Sequence, residues 1–434
     1  PAPAPREPGR GGLLVPSLVC GGALLTLAVG LAAKAAGAEW GAPAQPLVVF
    51  LRPALSTWAL PAALVLAVSL LLALRLRRAA VGPWAFAAAT FGLTLATRLA
   101  LNVFRGGPGA LDQVFVVAPK GEGRTEFLPA LPFLDHGGVG HFLSHFPEIS
   151  PKLPIQAQGH PPGLLLAIHY LGLDTPAGLA SLTIVVGALA TPLLYGLARE
   201  LLGEAEARAA TLLFVFVPTS LLYGATSGDA LFATLGVLAA VGLLARRPAS
   251  QVLGAGALAL AAFFSYALLA VGAWAALVRW RREGIGVALR LAALCAAVLV
   301  SVYLIVDITT GFDLIAAIRA TDDRYREGVA RLRPYAFWFF GSPAAFVLML
   351  GPVAWFAARS LAAKEATAVA LATVIAISVL AGYTKAETER IWLFLVPFAC
   401  LAAARSLSAR RLPVVLVAAA VQAVLIETFL FTKW

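Results

Sequence analysis

Apolar runs of about 20 residues recur along this chain, separated by short charged or Gly/Pro-rich breaks. A helix of about 20 apolar residues is long enough to cross the hydrocarbon core of a bilayer. The pattern therefore predicts an all-α polytopic membrane protein with about 13 transmembrane helices. The predicted spans are 13–34, 57–78, 82–104, 174–200, 208–224, 230–246, 251–265, 266–281, 287–306, 336–359, 365–383, 390–405 and 412–431. The 251–281 stretch has two interpretations: two short helices with Ser265-Tyr266 at their tip, or one broken element.

Three polar segments interrupt the apolar pattern: 105–173, 307–335 and 382–392. The first contains all five histidines and several carboxylates, which suits a reaction site between membrane spans. Apolar residues at helical spacing predict short interfacial helices in the first two segments. Residues 1–12 are Pro/Gly-rich and predict a disordered tail, and the whole of 1–434 is interpreted as one membrane domain.

The Lys and Arg residues set the expected orientation. With the N-terminus in the cytoplasm, 18 of the 33 basic residues lie on the cytoplasmic side, as the positive-inside rule requires. The three polar segments then face outward, and the protein is predicted to be a multi-pass plasma-membrane protein with its active site on the extracytoplasmic face. The distribution of the net charge of +11 therefore indicates orientation in a lipid bilayer rather than binding to nucleic acid. Arg98, inside a predicted span, is expected to face the protein interior or to reach toward the interface.

Composition narrows the class further. Hydrophobic residues make up 60% of the 434 and charged residues only 13%, which is too little polar surface for a soluble domain of this length. Cys20, Cys295 and Cys400 each lie inside an apolar run, which is typical of buried small residues rather than of a disulfide, metal site or nucleophile.

Four short sequences carry a resemblance to a known family. They are TEFLPALPFLDHGG from residue 125, GHPPG at 159–163, TSGDALF at 226–232 and KAETERIWLFLVP at 385–397. Together with the helix layout, they resemble the GT-C fold membrane glycosyltransferases that use polyprenyl-phosphate sugars, of the actinobacterial envelope type. The chain departs from that family at its acidic signature, usually Asp-Glu or Asp-Asp, where it has Thr125-Glu126. Two additional helices also precede the resembling core.

The resemblance implies a reaction and its partners. One sugar would pass from a polyprenyl-phosphate donor to an extracytoplasmic envelope glycan, lipid or protein acceptor, with inversion. Mannose and arabinofuranose are the sugars that the resemblance suggests. It implies no cofactor, and a divalent metal is not indicated.

Such a transfer needs an outward-facing carboxylate as base. Glu126 is the first candidate because it lies in the acidic signature at the family's distance from His160. Asp112 and Asp135 are alternatives, and Asp135 could instead cap a helix or bind metal with His136. Each acid could also be a solvated loop residue.

The departing lipid phosphate needs cationic donors. Arg390 is the first candidate, with a salt bridge to Glu387 as the structural alternative. The other predicted donor-phosphate residues are Lys385, His160 and Arg324. The arginines of 307–335 alternate with acids, so a solvated interfacial helix is the slightly favoured interpretation of Arg324 and its neighbours.

Three residues are assigned to substrate binding: His136, Asp229 and Tyr383. Asp229 could instead be a helix N-cap. His141 and His145 share a helical face, and with His136 they raise a metal site as an alternative. No metal ligands are predicted, because this spacing lacks a firm third ligand.

A transporter or flippase of lipid-linked substrates is the rival from another class. It predicts acids and broken helices at the bilayer midplane and usually an internal repeat. Here nearly all acids lie at or outside the ends of the apolar runs, which disfavours it.

Overall fold

The computed structural model describes residues 10–119 and 122–432, and within them the chain is almost entirely helical. The two strands in this part are Phe50–Leu51 and Leu430–Phe431, which pair antiparallel with each other. The all-α prediction is confirmed. Residues 1–9 of the predicted disordered tail lie outside the described residues. The last three residues of that tail are ordered, as part of the 3-10 turn Arg10–Leu13.

Six helices are long and apolar enough to cross a membrane, or seven if one bent pair is a single span. The six are Leu14–Ala35, Ala59–Leu76, Pro83–Gly106, Pro176–Leu201 (in two segments, Pro176–Ala188 and Ala190–Leu201), Ile285–Thr310 and Leu412–Phe429. The bent pair is Tyr335–Leu350 and Pro352–Ala362, which meet at an angle of 113°. These helices are consistent with a membrane protein, and the prediction of about 13 spans is not confirmed.

The remaining predicted spans coincide with helices that are shorter or interrupted. They are Glu204–Phe216, Pro218–Tyr223, Gly228–Leu244, Pro248–Phe264, Leu269–Glu283, Ala366–Ala381, Thr388–Ile391 and Val396–Ser406, with 3-10 turns at Tyr266–Leu268 and Trp392–Leu395. Proline, which lacks a backbone N–H, begins several of these segments and ends the helix before it. The two-helix interpretation of 251–281 is confirmed, because Ser265 is extended between Pro248–Phe264 and the turn that follows.

Several helices leave most of their apolar surface uncovered. Only 17% of Leu14–Ala35 and of Ile285–Thr310 is buried, so large side chains such as Leu18 and Val300 point away from the protein. Exposed apolar surface on this scale requires a hydrocarbon solvent or a partner. Cys295 and Cys400 are buried in helices, as expected of small core residues.

The polar segments fold into short helices and turns. The first contains Pro108–Ala110, Gln113–Phe115, Glu122–Thr125, Leu128–Ala130, Pro132–Asp135, Gly138–Ser144, Phe146–Ile149, Ser150–Lys152, Ile155–Gln158 and Gly163–Leu171. The second contains Leu314–Glu327 and the 3-10 turn Val329–Leu332. It begins later than predicted, because the helix Ile285–Thr310 continues past residue 307.

The three polar segments contact one another. Arg324 Nε donates to Gln158 Oε1 at 2.8 Å, which joins the second segment to the first. The backbone N–H of Lys385 donates to Tyr325 Oη at 2.9 Å, which joins the third to the second. We call the side of the protein formed by residues 105–119, 122–173, 311–335 and 382–392 the loop face. Residues 36–58 also reach this side, where the indole of Trp338 donates to Trp40 O at 2.8 Å.

Candidate functional site

Asp229 lies at the start of helix Gly228–Leu244, but it is not the N-cap. Ser227 is the N-cap: its Oγ accepts from the Asp229 N–H at 3.1 Å and donates to Asp229 Oδ2 at 2.9 Å. The hypothesis that Asp229 caps the helix is therefore wrong. Its carboxylate is buried and also binds a partner from a distant part of the chain.

That partner is Arg390. Nη1 of Arg390 donates to Asp229 Oδ2 at 2.5 Å, and Nη2 donates to Glu387 Oε2 at 3.1 Å. Burial opposes the charged guanidinium, yet the surrounding carboxylates Asp229, Glu387 and Glu126 hold the pKa of Arg390 above its usual value. The predicted salt bridge of Arg390 to Glu387 is thus present, and the two terminal nitrogens hold carboxylates.

Glu387 connects this pair to a second arginine. Arg333 Nη2 donates to Glu387 Oε1 at 2.7 Å, and Arg333 Nη1 donates to Lys385 O at 2.6 Å. Burial raises the pKa of the Glu387 carboxyl, but the two arginines outweigh it and lower that pKa overall. The result is a continuous chain of charges from Asp229 through Arg390 and Glu387 to Arg333.

The turn that presents Glu387 has an unusual backbone. Ala386 and Glu387 both have positive φ, +66° and +59°, a left-handed conformation that side chains with a Cβ rarely adopt. Consecutive residues of this kind store strain that the surrounding contacts must hold in place. Here the holding contacts are the two arginines, so the strained turn places one carboxylate between two cations.

Glu126 joins the same group of charges. Its side chain is only 4% exposed, and it is close enough to raise the pKa of Arg390. It follows the 3-10 turn Glu122–Thr125, and the neighbouring Phe127 ring meets the His160 ring edge-on, with centroids 5.8 Å apart. The acidic signature and the GHPPG sequence therefore lie side by side.

The tautomer of His160 follows from its hydrogen bond. Nδ1 lies 2.7 Å from Gln156 O, and because a carbonyl only accepts, Nδ1 carries the proton. Burial is the largest influence on the pKa of His160 and lowers it, so the ring is neutral near pH 7. Nε2 is then a hydrogen-bond acceptor, which suits a substrate hydroxyl and would need protonation to bind a phosphate oxygen.

The other predicted site residues are more peripheral. Asp112 is half-buried before the turn Gln113–Phe115, which packs on Glu122–Thr125. Asp135 is exposed and lies 4.0 Å from His169 Nδ1, while the exposed His136 donates from Nδ1 to Pro132 O at 2.9 Å. Tyr383 is 65% exposed.

The histidine pair has the geometry expected of one helical face. The rings of His141 and His145 are 4.3 Å apart and exposed. Within residues 10–119 and 122–432, no group of three or more His, Cys, Asp or Glu residues could hold a metal ion.

Two further buried residues, Glu389 and Arg98, contribute to the site, and only Arg98 was distinguished by the sequence. Glu389 Oε1 accepts from the Val48 N–H at 2.7 Å, which ties residues 36–58 to the site. Arg98 faces the interior, which was one of the two orientations predicted for it. Its guanidinium donates to Gly224 O at 2.7 Å and to Ser220 Oγ at 2.8 Å. It thereby fixes the turn that leads to Asp229.

No protein-family model matches this chain, and neither a curated protein nor a solved structure does.

Proposed function

We propose that this protein is a membrane glycosyltransferase that uses a polyprenyl-phosphate sugar and an acceptor in the cell envelope. The observation that carries the proposal is the convergence of Glu126, His160, Asp229 and Arg390 at one place on the loop face. Each comes from a different one of the four sequences that resemble the GT-C enzymes. In the proposal the loop face is extracytoplasmic, as the distribution of Lys and Arg indicates.

The charge of this group suits a proton acceptor. Glu126, Asp229 and Glu387 carry three negative charges against the two positive charges of Arg390 and Arg333. We assign Glu126 as the base, because it lies in the sequence that resembles the family's acidic signature and is close to Arg390.

The proposed step is a direct displacement. The acceptor hydroxyl oxygen bonds to the anomeric carbon while the bond from that carbon to the donor phosphate oxygen breaks. The hydroxyl proton passes to Glu126, and the bonding electrons leave with the polyprenyl phosphate. The sugar is inverted, because attack and departure occur on opposite sides of the carbon.

The surrounding residues have separate roles in the proposal. Arg390 positions Asp229 and Glu387, and Nε2 of neutral His160 accepts a hydrogen bond from a substrate hydroxyl. Arg324 supplies positive charge for the departing phosphate. Because Glu126 is only 4% exposed, acceptor entry requires the Glu122–Thr125 turn or its neighbours to move.

The test is transfer of radiolabelled sugar from polyprenyl phosphate by the purified protein. Glu126→Gln is expected to lower the rate by about 100- to 10,000-fold with an unchanged melting temperature. Glu148→Gln, an exposed acid of the same segment, is the control and should retain the rate. Full activity of Glu126→Gln together with loss in Asp112→Asn would move the base to Asp112.

Two observations favour a transporter or flippase as the second candidate. The pair Tyr335–Leu350 and Pro352–Ala362 is a broken helix, and Arg98 is a buried cation within a candidate span. Transporters use both features near the bilayer midplane. Movement of a lipid-linked sugar across proteoliposomes without any transfer would replace the enzyme proposal with this one.

A further inference from the structure

A cavity of about 450 Å³ opens on the loop face, beside the buried charges, with which it shares Arg333. Its walls come from the end of helix Leu314–Glu327, the turn Val329–Leu332 with the residues after it, and residues 381–385. This volume is in the range of pockets that hold small ligands.

The lining is strongly basic. Arg326, Arg331, Arg333 and Lys385 are among its ten described lining residues, and none of the ten is acidic. Asp322 pairs with Arg326 at 2.7 Å and Glu387 pairs with Arg333, which leaves a surplus of two positive charges. Arg331 is exposed. A concave site with such a surplus attracts anions.

Arg333 makes the cavity a constructed site rather than a patch of surface arginines. Its side chain is only 8% exposed, and among the described residues its Nε has no hydrogen-bond partner. An unpaired buried donor is costly unless a ligand or water satisfies it. The two terminal nitrogens are already held by Lys385 O and Glu387, so the guanidinium is fixed in the wall of the cavity.

The walls are tied together in advance. Tyr325 Oη accepts from the Lys385 N–H at 2.9 Å, and Lys385 Nζ donates to Ala330 O at 3.3 Å. Tyr335 Oη donates to Leu380 O at 2.9 Å. Side chains that are already fixed lose little conformational entropy when a ligand binds.

We propose that this cavity is a binding site for a phosphate group, held by Arg331, Arg333 and Lys385 with Arg326 at its rim. Guanidinium groups match phosphate oxygens in pairs, and a phosphate carries the charge needed to balance the surplus. The phosphate belongs either to a soluble phosphate or to a lipid headgroup, since Tyr335 and Ala381 lie at the ends of apolar helices. This site stands independently of the proposed sugar transfer.

The experiment measures binding rather than transfer, so its outcome does not depend on the reaction. Inorganic pyrophosphate is titrated into the purified full-length protein in detergent, and phosphatidylcholine nanodiscs with and without phosphatidic acid provide the lipid arm. Binding in either arm that weakens with added salt is expected, and the arm that responds identifies the source of the phosphate. Binding in neither arm overturns the proposal.

The variants locate the site. Arg331→Gln is expected to weaken binding by about tenfold, and Arg326→Gln by less, because Arg326 already pairs with Asp322. Arg319→Gln is the matched control, since Arg319 is exposed on the same helix as Arg326 but does not line the cavity. Equal loss in Arg319→Gln and Arg331→Gln would show diffuse charge attraction and would also overturn the proposal. Unchanged melting temperatures establish that these exposed substitutions leave the fold intact.

Discussion

Arg390 and Asp229, 161 positions apart in the chain, form an ion pair at 2.5 Å with each side chain only 7% exposed. Buried charges of this kind are tolerated when their partners are in place and are costly when one partner is lost. The pair therefore links helix Gly228–Leu244 to the strained turn at Ala386 and Glu387. Its removal should affect both stability and the proposed reaction.

Arg390→Ala is expected to destabilise the protein by about 3–5 kcal/mol, because it leaves the buried carboxylate of Asp229 without its cation and removes one of the two cations of Glu387. The double variant Asp229→Asn with Arg390→Gln should recover part of that loss, since neither buried charge remains. Thermal unfolding in detergent measures both. Arg199→Gln is the control: its partner Glu204 lies at 3.2 Å in an exposed pair, so the change should stay within about 1 kcal/mol. Equal effects in the two pairs would contradict the importance of burial.

His160→Phe tests the acceptor role of Nε2. The aromatic ring preserves packing against Phe127 and Phe232, whose ring centroids lie 5.8 and 5.1 Å away. We expect the melting temperature to change little and sugar transfer to fall by about tenfold, the cost of one hydrogen bond in the site. His136→Phe, at an exposed position, is the control and should retain activity. A His160→Phe enzyme with full activity would leave this histidine a purely structural role.

Glu389 predicts a pH dependence of stability. Burial, together with repulsion from Glu387, raises its pKa from 4.5 to about 7, against the smaller lowering effects of the Val48 hydrogen bond and Arg390. Between these values the folded state holds a proton that the unfolded state has released. The stabilisation is therefore fully present below pH 4.5 and is lost as the pH rises through about 7. The loss is on the order of 3 kcal/mol across this window.

Glu389→Gln should flatten that dependence. The amide oxygen can still accept from Val48, but the group no longer titrates. Thermal unfolding of the wild type and the variant at several pH values gives the difference curve, and Glu327→Gln, an exposed acid, is the control. A slope between pH 5 and 7 that persists unchanged in Glu389→Gln would assign the dependence to another group.

Gly224→Ala tests the turn before Asp229. An added Cβ would lie 2.1 Å from Ser220 O and 2.5 Å from Arg98 Nε, so both the backbone and the buried arginine would have to shift. Such overpacking should destabilise the protein by about 1–3 kcal/mol. It should also lower the rate of sugar transfer, because it shifts the turn that positions Asp229. Gly256→Ala is the matched control in helix Pro248–Phe264, where a Cβ meets nothing within 4 Å. There the change should be neutral or stabilising by up to about 1 kcal/mol.

The apolar pattern located the helices well because helix formation and membrane length are local properties of the chain. The predicted span 287–306 is the core of Ile285–Thr310, and 412–431 differs from Leu412–Phe429 only at one end. The number of crossings could not be obtained in this way. Proline and glycine breaks, such as that between Leu350 and Pro352, determine whether an apolar run is one span or two short helices, and the angle at the break is set by packing.

The sequence also identified Glu126, His160, Asp229 and Arg390 as candidates, because each lies in one of the four sequences that resemble the GT-C enzymes. It did not determine their relationships. Arg390 holds Asp229 and Glu387, Glu389 turns inward to Val48, and Arg333 pairs with Glu387. All three relationships depend on segments brought together from distant parts of the chain. Burial and charge pairing are properties of this assembly, and only the tertiary structure decides them.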